Sequence, residues 1–248
     1  MSRTTGTPAS GRTAGKSPHH GHRSRLRERF SLNGFSGMLK YEILELLLTL
    51  LLPRKDVKPL AKELLSRYNT ITGVLSQPVS TLSQIPGLGM TSAVNLKVIF
   101  ESIPYCLSEQ MPHQDLLENP DMIANFARMK IGVLRHECYM VILLDGRNQL
   151  ISWKLLSEGE VNMVFHSPRT IIEFAINLQA SKIVLVHNHP SGSCAPSEDD
   201  IKATADLYAA LSPINLELAD HLVVTAWEYF SFAAHRMLHP ARSNSHDQ

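Results

Sequence analysis

Ile183-Val184-Leu185-Val186-His187-Asn188-His189-Pro190 is the stretch on which the fold and chemistry of this chain turn. A short apolar run rich in β-branched residues reads as a strand buried on both faces, as found in sheets covered by helices. It delivers two histidines spaced i, i+2, which share one side of an extended backbone. Asp199 and Asp200 follow ten and eleven residues after His189, at the start of the next helix. Two imidazoles, one of these carboxylates and an open position make the arrangement of a catalytic zinc site, whereas four closed ligands make a structural one. The C-terminal end of such a strand is where α/β sites usually lie.

Working outward, the same grammar covers the second half of the chain. Glu137 to Asp145 is apolar on both alternating faces, with Tyr139, Val141 and Leu143 on one and Cys138, Met140, Ile142 and Leu144 on the other. Gly146-Arg147-Asn148 is a turn, and Gln149 to Leu156 returns as a second strand. Ser167-Pro168 starts a helix with Ile171, Phe174, Ala175 and Leu178 on one face. Ser197 opens another, with Ile201, Ala205 and Tyr208 as its stripe, and His221 to Thr225 is a late strand.

The first half reads differently. Residues 1–20 are polar with almost nothing apolar, and are expected to be a disordered basic tail. Residues 21–104 read as helical: Arg23 to Phe30, Tyr41 to Leu52, Pro59 to Tyr68, and a final pair joined by Ile85-Pro86-Gly87-Leu88-Gly89. Glycines there permit a tight turn and let backbone N–H groups approach an anion, so this hairpin suits nucleic-acid phosphate, or a plain helix-connecting turn. Pro104 opens a segment expected to be a linker, residues 105–122. The 248-residue chain has a net charge of +1, but residues 21–104 carry 11 basic and 6 acidic residues while 105–248 carry 10 and 17. A basic front and an acidic back suit two units with different partners. No apolar run reaches the roughly 18 residues of a membrane span, and no signal-peptide core is expected at the N-terminus. Three scattered cysteines, Cys106, Cys138 and Cys194, give no disulfide framework and fit a reducing cytoplasm.

His187-x-His189, seven residues, Ser197, two residues, Asp200 resembles the JAMM/MPN metalloprotease motif, in which a distant Glu is followed by this pattern. His187 to Gly192 with Pro196-Ser197, together with Gly21-His22-Arg23, Glu42 to Leu48, Pro53 to Leu60 and Asp220-His221, is similar to the RadC branch of that family. The resemblance covers nearly the whole chain after the tail. It implies an α/β MPN domain, cytidine-deaminase-like in architecture, over residues 123–248, behind a small all-α domain with a helix-hairpin-helix. The H-x-E and PCxxC elements of the deaminases are missing, which argues against base chemistry.

The resemblance implies Zn²⁺ held by His187, His189 and Asp200, selecting Asp200 over Asp199. It implies cleavage of a peptide or isopeptide bond in a peptide or protein substrate by a metal-bound water. Spacing alone leaves Glu137, Glu158 and Glu160 open as the general base; family position favours Glu137, with Ser197 as oxyanion donor. Ser197-x-x-Asp200 is also a plain helix N-cap. Cys194 lies in the same loop as a stray thiol. Asp220-His221 suits a packing or supporting role, and His166, His235 and His239 have no evident partner. The alternative reading is a protein that binds DNA backbone through residues 21–104, its metal site structural or vestigial.

Overall fold

The computed structural model describes residues 18–156 and 168–238, with side chains from residue 21. The expected tail therefore lies outside the described residues as far as residue 17, as do Glu158, Glu160, His166, Ser167 and His239. The chain divides into two units, residues 1–95 and 96–248.

The first unit is helical: α1 (Pro18–Asn33), α2 (Lys40–Leu51), α3 (Lys58–Tyr68), α4 (Ile71–Leu75), α5 (Val79–Ser83) and the start of α6 (Met90–Gln110). The apolar run of α2 buries Leu44 and Leu48 completely. Its acidic residues are buried too, and each has a partner, as buried charge requires. Glu42 takes a two-pronged contact from Arg29 at 2.8 and 3.3 Å and accepts the Leu39 N–H at 2.9 Å, while Glu45 lies 3.0 Å from His22. Between α5 and α6 the chain turns at Gly87 with φ +91°, a conformation that favours glycine, and Ile85 and Leu88 on either side are buried.

The second unit is a sheet with helices on both faces. Its elements after α6 are α7 (Pro120–Lys130), β1 (Tyr139–Leu144), β2 (Leu150–Leu155), α8 (Pro168–Asn177), β3 (Lys182–Asn188), α9 (Glu198–Leu211), β4 (Glu217–Val224) and β5 (Tyr229–Ser231). The described strands run in the order β2-β1-β3-β4-β5. β3 and β4 are parallel, joined through α9, and the remaining pairs are antiparallel. Strand alternation separates two cores. Cys138, Met140, Ile142, Val184, Val186, Leu222 and Val224 pack with Ile123, Phe126 and Ala127 of α7. Val141, Leu143, Ile183, Leu185 and Val223 pack with Ile171 and Ala175 of α8 and Leu207 and Leu211 of α9. Residues three and four apart on each helix supply those apolar faces.

The structure departs from the sequence expectations in several places. The proposed linker is structured. α6 continues through Pro104 to Gln110, and Met111 and Leu116 are fully buried in the α7-side core. Asp115 accepts the Asn148 amide at 2.8 Å, and Leu116 donates its N–H to Asn148 O at 3.0 Å, so this segment is tied to the β1–β2 turn. Apolar burial there offsets the helix hydrogen bond that Pro104 removes. β4 starts at Glu217, four residues before the expected strand, and Leu178 falls in the turn beyond α8 with 39% of its surface exposed. The buried residues of α9 are Asp200, Thr204, Leu207 and Leu211; of the expected Ile201-Ala205-Tyr208 stripe, Tyr208 packs partly buried against the core, whereas Ile201 is exposed. Two polar residues face inward because the strands opposite them carry polar partners.

Candidate metal centre

β1 pairs antiparallel with β3, placing Tyr139 opposite His187. β3 pairs parallel with β4, placing Leu185 opposite His221. His187 and His221 therefore emerge on the same face of neighbouring strands, under the first turns of α9. Asp200 and Thr204, one helical turn apart, reach back from α9 to meet them.

Ligand-type atoms of Glu137, His187, His189 and Asp200 all lie within 4.8 Å of one another. His187 Nε2 is 3.0 Å from Asp200 Oδ1 and 3.0 Å from His189 Nε2; His189 Nε2 is 3.3 Å from Asp200 Oδ2. His187 and Asp200 are buried, and His189 is half-buried. The His189 Nδ1 lies 2.9 Å from the Ser193 carbonyl. A carbonyl only accepts, so Nδ1 carries the proton and Nε2 of the neutral ring presents its lone pair inward. A lone pair, a second imidazole nitrogen and a carboxylate converging at about 3 Å repel one another unless a cation or shared protons lie between them. Imidazole nitrogens with carboxylate oxygens are a donor set that suits zinc, so these residues fit the ion that the sequence motif implies.

Each donor is held from behind. Ser197 caps α9: its N–H and its hydroxyl each donate to Asp200 Oδ2 at 2.7 Å, and its oxygen accepts the Asp200 N–H at 3.1 Å. The capping box expected as the plain alternative is thus present, and it aims the carboxylate. Burial alone would raise the Asp200 carboxyl; the His187 hydrogen bond and charge and the two Ser197 bonds outweigh it and hold the group well below the usual carboxylate range. Asp199, the other carboxylate, is exposed and is not part of the cluster.

Glu137 stands two residues before β1 and is exposed. The Tyr139 hydroxyl donates to its Oε1 at 3.1 Å, and the Tyr139 ring stacks on His187 at 5.0 Å. Burial, then the Glu137 charge, push the phenol far above its ordinary value, so it remains a donor. The backbone around Glu137 is held by Asn188. Its Oδ1 accepts the Cys138 N–H at 2.6 Å, and its Nδ2 donates to His136 O at 3.0 Å. Asn188 and Tyr139 were not singled out as site residues in the sequence; the i, i+1 alternation that turns Asn188 away from the histidines was the available signal. Cys194 contributes no atom to the cluster. Asp220 accepts from Ser231, Ala233 and its own neighbour His221, a closed local network, while His235 lies 2.8 Å from Ser231 O through Nδ1 and stacks on Phe230.

A model of the RadC-like JAB domain matches residues 117–237. A UPF0758 protein of Fusobacterium nucleatum is 38% identical over 221 residues, covering 86% of this chain and 95% of that protein. A UPF0758 protein of Ruegeria pomeroyi is 35% identical over 213 residues, again covering 86% and 95%. The chain belongs to the RadC-like JAB family. The matched JAB-domain region, 117–237, contains all four donors and starts inside the segment expected to be a linker. Among the described residues no helix of this RadC-like chain is long and apolar enough to cross a membrane.

Proposed function

We propose that this RadC-like chain is a zinc-dependent hydrolase of amide bonds in a peptide or protein, peptide or isopeptide. The observation that carries this reading is the convergence of Glu137, His187, His189 and Asp200 on one point at the end of β3. His187, His189 and Asp200 would hold the ion, which supplies Lewis acidity that polarises a carbonyl and acidifies water. Glu137, held at Oε1 by Tyr139, takes a proton from the attacking water at its other oxygen and returns it to the leaving amine. Ser197 orients Asp200 through its N–H and its hydroxyl. For the oxyanion role we assign it, the hydroxyl must turn its one proton from Asp200 Oδ2 to the substrate oxygen while the Ser197 N–H keeps hold of the carboxylate, an effect of about 3 kcal/mol for a well-placed group. No disulfide joins any of Cys106, Cys138 and Cys194, which supports a reducing, cytoplasmic setting.

The test is metal analysis of the wild type, Glu137→Gln and the double variant His187→Ala/His189→Ala, with a peptide-library cleavage assay. One zinc per chain in the wild type and in Glu137→Gln, with cleavage only in the wild type, is expected. Undiminished zinc in the double variant would sink the reading.

A second reading concerns the helical unit. The α5–α6 turn, with Gly87 at φ +91° and open space around Gly89, supports binding of residues 21–104 to DNA backbone without sequence preference. Fluorescence anisotropy of the full chain on duplex DNA tests it. Binding that weakens steeply with salt and is lost in Gly87→Val is expected, and no binding at low salt would end this reading.

A further inference from the structure

Resting on the metal-centre reading, we propose that Thr204 and His221 fix the proton of His187 on Nδ1, leaving Nε2 as its ligand atom. Four contacts in series carry this. Thr204 Oγ1 lies 2.6 Å from the Asp200 backbone carbonyl and 2.6 Å from His221 Nδ1. The carbonyl has no proton to give, so the hydroxyl donates to it. With its one proton committed, Oγ1 accepts from His221, and Nδ1 of His221 is N–H.

His221 is 1% exposed and stacks on Phe232 at 4.7 Å. Its two ring nitrogens are engaged by Thr204 and by His187, and neither meets a carboxylate, so a charged ring would be a buried cation without a counter-ion. A neutral ring with its hydrogen on Nδ1 presents a lone pair at Nε2, which lies 2.9 Å from His187 Nδ1. His187 must donate there. Its Nε2 then faces Asp200 Oδ1 and His189 Nε2, where a proton or a cation belongs.

The relay begins at the backbone carbonyl of Asp200 and ends at its carboxylate, so one turn of α9 sets both a ligand and its neighbour's tautomer. Metal-bound histidines usually give their second N–H to a carboxylate or carbonyl, which can only accept. Here the acceptor is another imidazole, whose own proton could sit on either nitrogen. Thr204 removes that ambiguity. Thr204 and His221 are positioning residues: neither lies among the four donors.

The experiment uses the full chain labelled with ¹⁵N-histidine, metal-free and zinc-loaded. Long-range ¹H–¹⁵N correlations read the tautomer, and chelator competition reads zinc affinity. His187 should carry its proton on Nδ1 in both states. Thr204→Val keeps the shape and removes the acceptor. It should let His221 move its proton to Nε2, shift the His187 proton onto its own Nε2, and weaken zinc binding about 10–100-fold. Thr204→Ser should restore both. An unprotonated His187 Nδ1 in the wild type overturns the proposal, as does an unchanged tautomer in Thr204→Val or failure of Ser to restore it. Should the Val variant not fold, the wild-type tautomer still decides. The expected tautomer without zinc uptake would support the relay and remove the metal reading; zinc uptake with the opposite tautomer would do the reverse.

Discussion

Asn188→Ala should loosen the segment that carries Glu137 while leaving the histidine donors in place. Asn188 is fully buried, and its side chain contacts three backbone groups: the Cys138 N–H at 2.6 Å, the His136 carbonyl at 3.0 Å and the Leu134 carbonyl at 3.4 Å. These losses are unequal. Cys138 is buried and its N–H would have no water to turn to, a penalty of about 1–3 kcal/mol. His136 is exposed, so its carbonyl rehydrates at little cost, and the 3.4 Å contact is weak. With the small void left by the amide, the total is about 2–4 kcal/mol. At about 2–4 °C per kcal/mol for a domain of this size, melting should fall by roughly 5–15 °C.

Hydrogen exchange on residues 134–139 distinguishes this from general destabilisation. The Cys138 amide should lose protection by more than the amides of Val184 to Val186, which are ladder-bonded within the sheet. Zinc stoichiometry should be unchanged, because His187 and Asn188 point to opposite faces of β3. Asn188→Asp should be about as damaging, since it retains the acceptor for Cys138 but sets a carboxylate against two carbonyls. A Cys138 amide as protected in Asn188→Ala as in the wild type would refute the bracing argument. Loss of zinc from a folded variant would refute the separation of the two faces.

Zinc at 100 times its Kd should stabilise the protein by about 2.7 kcal/mol and raise its melting temperature, with EDTA reversing the shift; no shift in calorimetry would contradict a native-state site. Gly132→Ala should destabilise the second unit, since a Cβ there would sit 2.5 Å from Thr225 O and 2.8 Å from Arg128 O; thermal melting checks it, and an unchanged midpoint would refute the close approach. Glu42 is held below its ordinary value of 4.5, first by the Arg29 hydrogen bond and then by the Leu39 N–H. Its contribution to stability is therefore complete above pH 4.5 and is lost as the pH falls through the lowered folded value. Glu42→Gln should remove that acid-side dependence in circular-dichroism titrations of the chain.

The sequence was most legible where one physical signal dominated. The double alternation over 138–144 and the run 183–186 announced strands covered on both sides, and both cores follow from them. The linker expectation failed because Pro104 is a strong local signal, whereas Met111 and Leu116 are buried by strands and a helix that follow them in sequence. The α9 stripe was misread for the opposite reason. Apolar spacing favoured Ile201, yet Ile201 is 41% exposed and Thr204 is fully buried. A hydroxyl on a helix reads as solvent-facing until a histidine on another strand is known to face it.

That misreading shows how the site is built. A helix that turns a carboxylate and a hydroxyl inward loses apolar burial on its first turns, and Leu207 and Leu211 further along supply the packing instead. The polar end of α9 is then stable only if every group it buries has a partner. Asp200 has Ser197 and the histidines; Thr204 has the Asp200 carbonyl and His221; His221 has His187. The remaining imbalance is concentrated where His187 Nε2, His189 Nε2 and Asp200 converge. A cation placed there would satisfy the network, and removing any outer member should be felt at the centre. Thr204, one turn along α9 from Asp200 and not itself among the donors, should therefore matter to zinc affinity, while Ile201, next to Asp200 in sequence but exposed, should not.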